Sequence, residues 1–333
     1  MLQCKPSDEQ NANNHFDHDC CRPERSGRWR SGSSDGHTGA LILRRTTAMA
    51  PGERVPTVRQ RRIAADLKRL REKKGLSAEQ VVSKLPDLLN LPKLSRYENA
   101  RSAVKPDTLE ALLDLYGCDD GLREVLREIA RQKDQRGWWR GYSDTINPLY
   151  TDLITLETQA VEIKTFEGFF IPGLLQTPDY AAAIISRLSA VTTGVEAMVD
   201  VRIARQRVLN RSENPVKLCA VIHESALAIS AGEGVMREQL SRLAKMSRLP
   251  NIQIQVMPAD ARPNPGFNGS FCLLEFPHRA LDIVLTSGMV RSSWVEDPAE
   301  VDIYRGSFHE IMAAALNVDD SLDFIVKKRD ELT

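Results

Sequence analysis

From Val58 the chain takes up a helical rhythm, with Ile63, Ala64, Leu67 and Leu70 returning to one face at three- and four-residue spacing. Arg59, Arg61, Arg62, Lys68, Arg69 and Arg71 surround that face, and Gly75 supplies a C-terminal stop. Ser77 followed by Gln80 carries the capping-box signature of a second helix, which buries Val81, Val82 and Leu85 and ends at Pro86-Asp87. Asn90 caps a third, in which Pro92 is tolerated in the first turn, Leu94 and Tyr97 point inward, and Lys93, Ser95 and Arg96 point out. A fourth helix over Pro106–Tyr116 buries Leu109, Leu112, Leu113 and Tyr116 before Gly117 stops it. Asp119 and Asp120 then open a fifth, carrying Leu122, Val125, Leu126 and Ile129. Five short helices with a tight second-to-third connection make a helix-turn-helix arrangement, whose second helix is shaped to enter a major groove.

The rest of the chain reads differently. Gly137-Trp138-Trp139-Arg140-Gly141-Tyr142 breaks the helical period and marks a boundary at about residue 137. Leu153, Leu156, Ala160 and Ile163 then resume a helix, 165–171 reads as a strand, and Thr177 caps a helix begun by Pro178. An arginine-spaced helix is expected over 196–211, strands over 216–222, 251–257, 270–276 and 281–286, and an amphipathic helix around Met236, Leu240, Leu243 and Met246. Two helices close the chain, the first starting at Asp297-Pro298. Clustered strands among helices describe a mixed α+β domain.

Length and composition narrow the classes. At 333 residues the chain has room for two domains, and it holds 27% charged residues with no apolar run long enough for a membrane helix. The N-terminus has no continuous apolar core of the secretory kind, and six cysteines without framework spacing argue for a reducing cytoplasm. The first forty residues carry few large apolar side chains and cannot offset their own ordering entropy, so disorder is expected over 1–56. Met49, followed by Ala-Pro-Gly, offers an alternative translation start, and the nearby His15, His18, Cys20 and Cys21 fit no structural zinc spacing. The zero net charge hides an asymmetry: thirteen Lys/Arg stand against five Asp/Glu between Thr57 and Lys105, leaving +8 there and −8 elsewhere. Such a block suits a polyanion such as nucleic acid, and equally a solvated helix face.

The residues that carry a family resemblance are Leu76-Ser77, then Leu94-Ser95-Arg96-Tyr97-Glu98-Asn99 and Lys105-Pro106-Asp107-Thr108-Leu109. These resemble the phage-repressor Cro/C1 (XRE) helix-turn-helix family, which implies a lambda-repressor-like head over 57–136. By that resemblance Asn90, Leu91, Pro92 and Arg96 face DNA bases; by helical period Lys93 and Ser95 share the outward side of that helix, and Lys73 and Lys74 are expected to meet DNA of any sequence. The segment Lys84-Leu85-Pro86-Asp87-Leu88-Leu89 departs from the pattern: it is about two residues longer than the usual turn and lacks its glycine. Arg96 is the contact that downstream Tyr97-Glu98-Asn99 anchors, its alternative being a salt bridge to Glu98 or Glu79.

Over 137–333, Phe166-Glu167, Ile171-Pro172-Gly173-Leu174-Leu175-Gln176-Thr177, Asp179-Tyr180-Ala181, Arg202, Arg205-Gln206, Gln239-Leu240 and Asn268-Gly269-Ser270-Phe271 resemble a domain of unknown function. It stands behind this helix-turn-helix in actinobacterial (Streptomyces-type) regulators, the Scr1-type antitoxin-like proteins, often encoded beside a small partner protein. Similar proteins usually place an aromatic and a glutamate where this chain has Ile283-Val284-Leu285-Thr286.

Catalytic signatures are sparse. His223-Glu224 opens like a zinc-peptidase helix, but the position needing a second histidine is Leu227. Cys219 with His223 reads as core packing beside a surface histidine, and no nucleophile elbow, phosphate loop or dinucleotide fingerprint occurs. No enzyme, cofactor or metal site is therefore expected. Arg202, Arg205 and Gln206 line either a pocket for an anionic ligand or a solvated helix face. Trp138 and Trp139 stack on a ligand or wedge the domains together, and 261–268 is either a lid or a hairpin loop. The expectation is a sequence-specific, homodimeric DNA-binding regulator of the cytoplasm and nucleoid, whose C-terminal domain senses a small-molecule effector or a protein partner. The competing expectation is an antitoxin-like module that sequesters a small protein from a neighbouring gene and touches DNA incidentally.

Overall fold

The computed structural model describes residues 56–131, 142, 146–188, 194–287 and 292–332. The expectations on the first fifty-five residues, on Trp138 and Trp139, and on the boundary at 137 lie outside the described residues. The N-terminal region is helical. In α1 (Val58–Lys73), Thr57 and Gln60 form a reciprocal cap, Gln60 N–H donating to Thr57 Oγ1 at 3.2 Å and Thr57 N–H to Gln60 Oε1 at 3.0 Å. Gly75, at φ +71°, takes the left-handed conformation that lets the Leu76 N–H reach the Arg71 carbonyl at 3.2 Å. Ser77 and Gln80 cap α2 (Ala78–Lys84) as expected, and Asn90 caps α3 (Leu91–Glu98) by accepting from Lys93 N–H at 2.9 Å. The long connection between them is closed on itself, Leu88 and Leu89 N–H both donating to the Leu85 carbonyl, with buried Leu89 as its plug. α4 (Pro106–Tyr116) ends at Gly117 with φ +69°, and α5 (Asp120–Arg131) follows. Leu67, Val81, Leu94, Leu109, Leu112, Leu113 and Leu126 fill the centre of this region.

The C-terminal region is built on a six-stranded mixed sheet in the order β3-β2-β1-β4-β5-β6. Its strands are β1 (Glu162–Glu167), β2 (Lys217–His223), β3 (Ile252–Met257), β4 (Phe271–Glu275), β5 (Ile283–Thr286) and β6 (Ser293–Val295). The first three run parallel, and β4, β5 and β6 are added antiparallel on the other side of β1. Both faces are covered, as parallel pairing requires. On one, α10 (Pro298–Ala314) sets Val301, Phe308 and Ile311 against Phe166, Val221, Leu273 and Val284. On the other lie α6 (Pro148–Gln159), α7 (Pro178–Leu188), α9 (Val235–Met246) and α11 (Val318–Glu331), and this core is continuous with that of the N-terminal helices. No described helix is long and apolar enough to cross a membrane.

Several boundaries differ from expectation for identifiable reasons. Ala160 and Ile163 share the three-residue spacing of α6, but Ala160 is already extended and Ile163 belongs to β1, which pairs with β2 from Glu162 onward. β1 therefore begins three residues earlier than expected and gives way after Glu167 to the turn that holds Pro172. The arginine-spaced helix stops as α8 (Val195–Arg205) and tightens into a 3-10 turn over Gln206–Asn210. β6 was not expected from the sequence: three residues at a sheet edge are too few to show alternation.

Candidate functional site

On the outer side of α3, Asn90, Leu91, Pro92, Ser95 and Arg96 are all exposed, while Leu94 and Tyr97 face inward as expected. Glu98, a candidate partner for Arg96, is taken from behind. Arg71 donates from Nε to one Glu98 oxygen at 2.6 Å and from Nη2 to the other at 2.9 Å, and from Nη1 to the Leu76 carbonyl at 2.9 Å. This fork fixes α1, the α1–α2 turn and α3 together, and leaves Arg96 with no ion pair among the described residues. Lys93 departs from expectation: its Nζ turns back to the Leu88 carbonyl at 2.6 Å and lies over the Tyr97 ring. It stabilises the long turn rather than standing in solvent. Lys73 and Lys74 are exposed at the end of α1. Gln80, Ser83, Lys84, Asn99 and Arg101 are exposed neighbours that the sequence reading does not assign to DNA. The signal that could have found them lies in their capping and helix-end positions.

The opposite side of α1 faces the sheet region, and there Arg59 and Arg62, two of the arginines expected to surround the helix, turn inward. Arg59 is buried, its Nη1 donating to the Leu281 carbonyl at 3.0 Å and its guanidinium lying 4.5 Å from the Phe276 ring. Burial, with Arg62 alongside, pulls its pKa down to about 10, so it remains charged at neutrality. Asp152 of α6 accepts from the Val58 N–H at 3.2 Å and from Arg61 Nη2 at 3.1 Å. Burial pushes the Asp152 and Glu296 carboxyls upward against the pull of these arginines. Buried Arg59 Nε and Nη2, Arg62 Nη1 and Glu296 Oε2 have no hydrogen-bond partner among the described residues. Part of the basic block is thus an internal joint, not a phosphate surface.

Behind this joint a cavity of about 400 Å³ opens on the α6 side of the sheet. Its floor is β1, β4 and β5, through Ile163, Thr165, Glu167, Cys272 and Leu285. Arg205 and Glu157 lie in its wall as a closed pair, Nε and Nη2 donating to the two carboxylate oxygens at 2.9 and 2.5 Å, with Tyr150 Oη accepting from Nη1. Arg202 sits one turn earlier, donating from Nη1 to Gln176 Oε1 at 2.9 Å and leaving buried Nε unpartnered among the described residues. Burial pushes the Glu167 carboxyl up to about 7, against the lowering influence of Ser270 and Arg202. Burial also holds the Cys272 thiol neutral.

Comparison with family models gives two matches. The model of a helix-turn-helix domain matches residues 62–126, and that of a domain of unknown function, DUF5753, matches residues 150–327. The chain belongs to the DUF5753 family. No curated protein matches it. Its helix-turn-helix domain supports a DNA-binding regulator.

Within the DUF5753 region the Pro-Gly-Leu-Leu-Gln-Thr run is held by a lattice of amide side chains. Gln176 Nε2 donates to the Ile171 carbonyl at 2.8 Å, and Gln206 Nε2 to the Gln176 carbonyl at 2.8 Å. Gln239 Nε2 donates to the Leu175 carbonyl at 2.9 Å while its Oε1 accepts from Thr177 N–H at 2.7 Å, and Arg242 joins Leu175 to Gln206. Residues scattered over some sixty positions converge because this irregular, buried backbone needs partners that no strand supplies. The expectation of a solvated face fails for Arg205 and Gln206, which are both buried; Arg202 and Arg205 line the cavity and Gln206 braces its rim.

The remaining DUF5753 candidates take structural positions. His223 ends β2 and caps a 3-10 turn over Glu224–Leu227, with Leu227 buried, so His-Glu-x-x-Leu is not on an α-helix. Cys219 is buried against Met312 and its thiol is pushed up to about 11, as core packing implies. The 261–268 segment forms a 3-10 turn, Pro265–Asn268, packed on α10, with Gly266 pressed against Phe166 on the sheet face that α10 covers.

Proposed function

We propose that this protein is a sequence-specific transcription regulator of the Cro/C1 (XRE) kind that reads a palindromic operator as a homodimer. The observation that carries the reading is the exposed outer side of α3, where Arg96 is free of Glu98 because Arg71 holds that carboxylate. One such helix covers a half-site, and pairing two of them about 34 Å apart is the geometric solution for a palindrome. The resemblance to actinobacterial, Scr1-type regulators supports a C-terminal domain that senses an effector or a small protein from a neighbouring gene, in the cytoplasm and without catalysis of its own. The antitoxin-like alternative, sequestration of that small protein, has support in the exposed Phe169, Phe267 and Ile303 of the DUF5753 region.

The deciding experiment is binding of the full chain to DNA from its own upstream region against a scrambled duplex at two salt concentrations. The expected result is a preference of roughly 10³ or more that survives the higher salt. Weak, steeply salt-dependent binding to both duplexes would sink the reading and turn attention to the partner protein.

A further inference from the structure

We infer that the cavity on the α6 side of the sheet binds a compact, mainly apolar organic acid, its carboxylate held by Arg202 and Glu167 and its body resting on Leu153, Ile163 and Leu285. This deepens the sensing half of the function proposed above and is independent of the DNA-binding half. The cavity, at about 400 Å³, is of ligand size, and its apolar side chains, Leu153, Ile163 and Leu285 among them, alternate with polar ones such as Thr165, Glu167 and Arg202.

The charges select the head group. The Glu157–Arg205 pair uses both carboxylate oxygens and three guanidinium nitrogens internally, so it contributes no net charge to a visitor. Arg202 is different: it has one hydrogen bond, to Gln176, and an unpartnered Nε, and it makes no ion pair among the described residues. A guanidinium held this way, with Nη1 on Gln176 and Nε closed off from solvent, suits a carboxylate or a phosphate, and the apolar side chains beside it, Leu153, Ile163 and Leu285, favour the carboxylate of an apolar acid. Glu167 shares the cavity with it. With its carboxyl raised by burial, Glu167 donates a hydrogen bond in its neutral form, and a bound carboxylate stabilises that form further. The charged and titratable groups facing Glu167 are Arg202 from α8, Tyr180 from α7 and Cys272 from β4, with Glu157 and Arg205 beyond Cys272. An ammonium head would meet Arg202 as a like charge, and a hydroxyl head would leave it without a counter-charge. The position also has a consequence for regulation: α6 and β5 wall the cavity, and α6 Asp152 and the Leu281 carbonyl just before β5 are what grip α1.

The test is calorimetric titration of the full chain at about pH 6.5 with three probes sharing one apolar body: 4-phenylbutyrate, 4-phenylbutan-1-ol and 4-phenylbutylamine. The acid should bind one per chain at about 1 mM or tighter, and the alcohol and amine at least about tenfold more weakly. Arg202→Gln should weaken the acid by about tenfold or more, and Glu167→Gln, which keeps a donor, should retain it and abolish the loss of affinity that the parent shows above about pH 7. If Arg202→Gln does not fold, Arg202→Lys takes its place, keeping the charge but losing the fork, with weaker acid binding at an unchanged melting temperature. The inference is overturned by the absence of saturable acid binding, by an alcohol or amine that binds as tightly, by acid affinity unchanged in the Arg202 variant, or by its loss in Glu167→Gln. No readout involves DNA, so failure at an operator would leave this result standing.

Discussion

On α3, Arg96 stands in solvent because the nearby Glu98 is held by Arg71, 27 residues away in sequence; on α8, Arg205 is buried because Glu157, 48 residues away, comes to meet it. Both arginines stand in the last turns of their helices. What separates them is the position of the nearest carboxylate in the fold, and that decides whether the charge is available to another molecule. The same contrast divides the basic block: Arg59, Arg62 and Arg71 turn inward, while Lys73, Lys74 and Arg96 stay outside. A net charge of +8 therefore overstates the cation surface that DNA could meet.

The strongest way to break the contrast is to remove the buried cation. Arg205→Ala leaves the Glu157 carboxyl without its partner in the interior, and should destabilise the protein by about 3–5 kcal/mol in urea unfolding. Replacing both members with apolar residues of similar volume should restore much of that loss, since neither charge is then left behind. A single variant as stable as the parent would show that the pair is not buried as described.

Glu167 gives the next largest effect, and its sign follows from burial. Its carboxyl, near 4.5 when unfolded, is raised to about 7 in the fold, so the native state holds the proton more tightly. Its contribution is fully present below about pH 4.5 and declines as pH rises through 7, amounting to roughly 3 kcal/mol across that window. Glu167→Gln should flatten this part of the stability profile. An unchanged slope in the variant would place the titration elsewhere.

These two residues also mark what the sequence could and could not reveal. Helix starts were legible at three local caps, Ser77 with Gln80, Asn90 with Lys93 N–H and Asp297 with Ala299 and Glu300 N–H, but the equally local caps Thr57, Asn147 and Asn317 were not read. The strands were legible by alternation, except where β1 begins inside the spacing of α6 and where β6 is only three residues long. The outward positions of α3 followed from its period. The cavity did not, because its polar groups come from α6, β1 and α8, and only the tertiary fold brings Glu157 to Arg205 or Glu167 near Arg202. Lys93 was misplaced for a related reason: the long turn leaves the Leu88 carbonyl needing a donor, and Lys93 is within reach.

A smaller effect separates recognition from architecture on the DNA side. Arg96→Ala should cost about 1–3 kcal/mol on the cognate operator, relax specificity at the base it reads, and leave the melting temperature unchanged. Arg71→Ala should instead lower the melting temperature, since Glu98 and the Leu76 carbonyl lose their donor together. Equal losses on every duplex for Arg96→Ala would remove its base-reading role.

The smallest effect tests the division of the basic block directly. Lys73→Ala and Lys74→Ala each remove an exposed cation at the end of α1, and each should weaken cognate and scrambled DNA alike. The slope of log K against log salt should fall by about 0.9 for each phosphate that is no longer neutralised. Arg59→Ala removes one charge from the same block, yet its guanidinium lies on Phe276 and donates to the Leu281 carbonyl, so the slope should not change. Because all three variants alter net charge equally, a common shift in slope would mean that DNA senses the block as a diffuse field. Shifts confined to the two lysines would mean that it senses particular side chains, and that the inward arginines serve the joint between the helical head and the sheet.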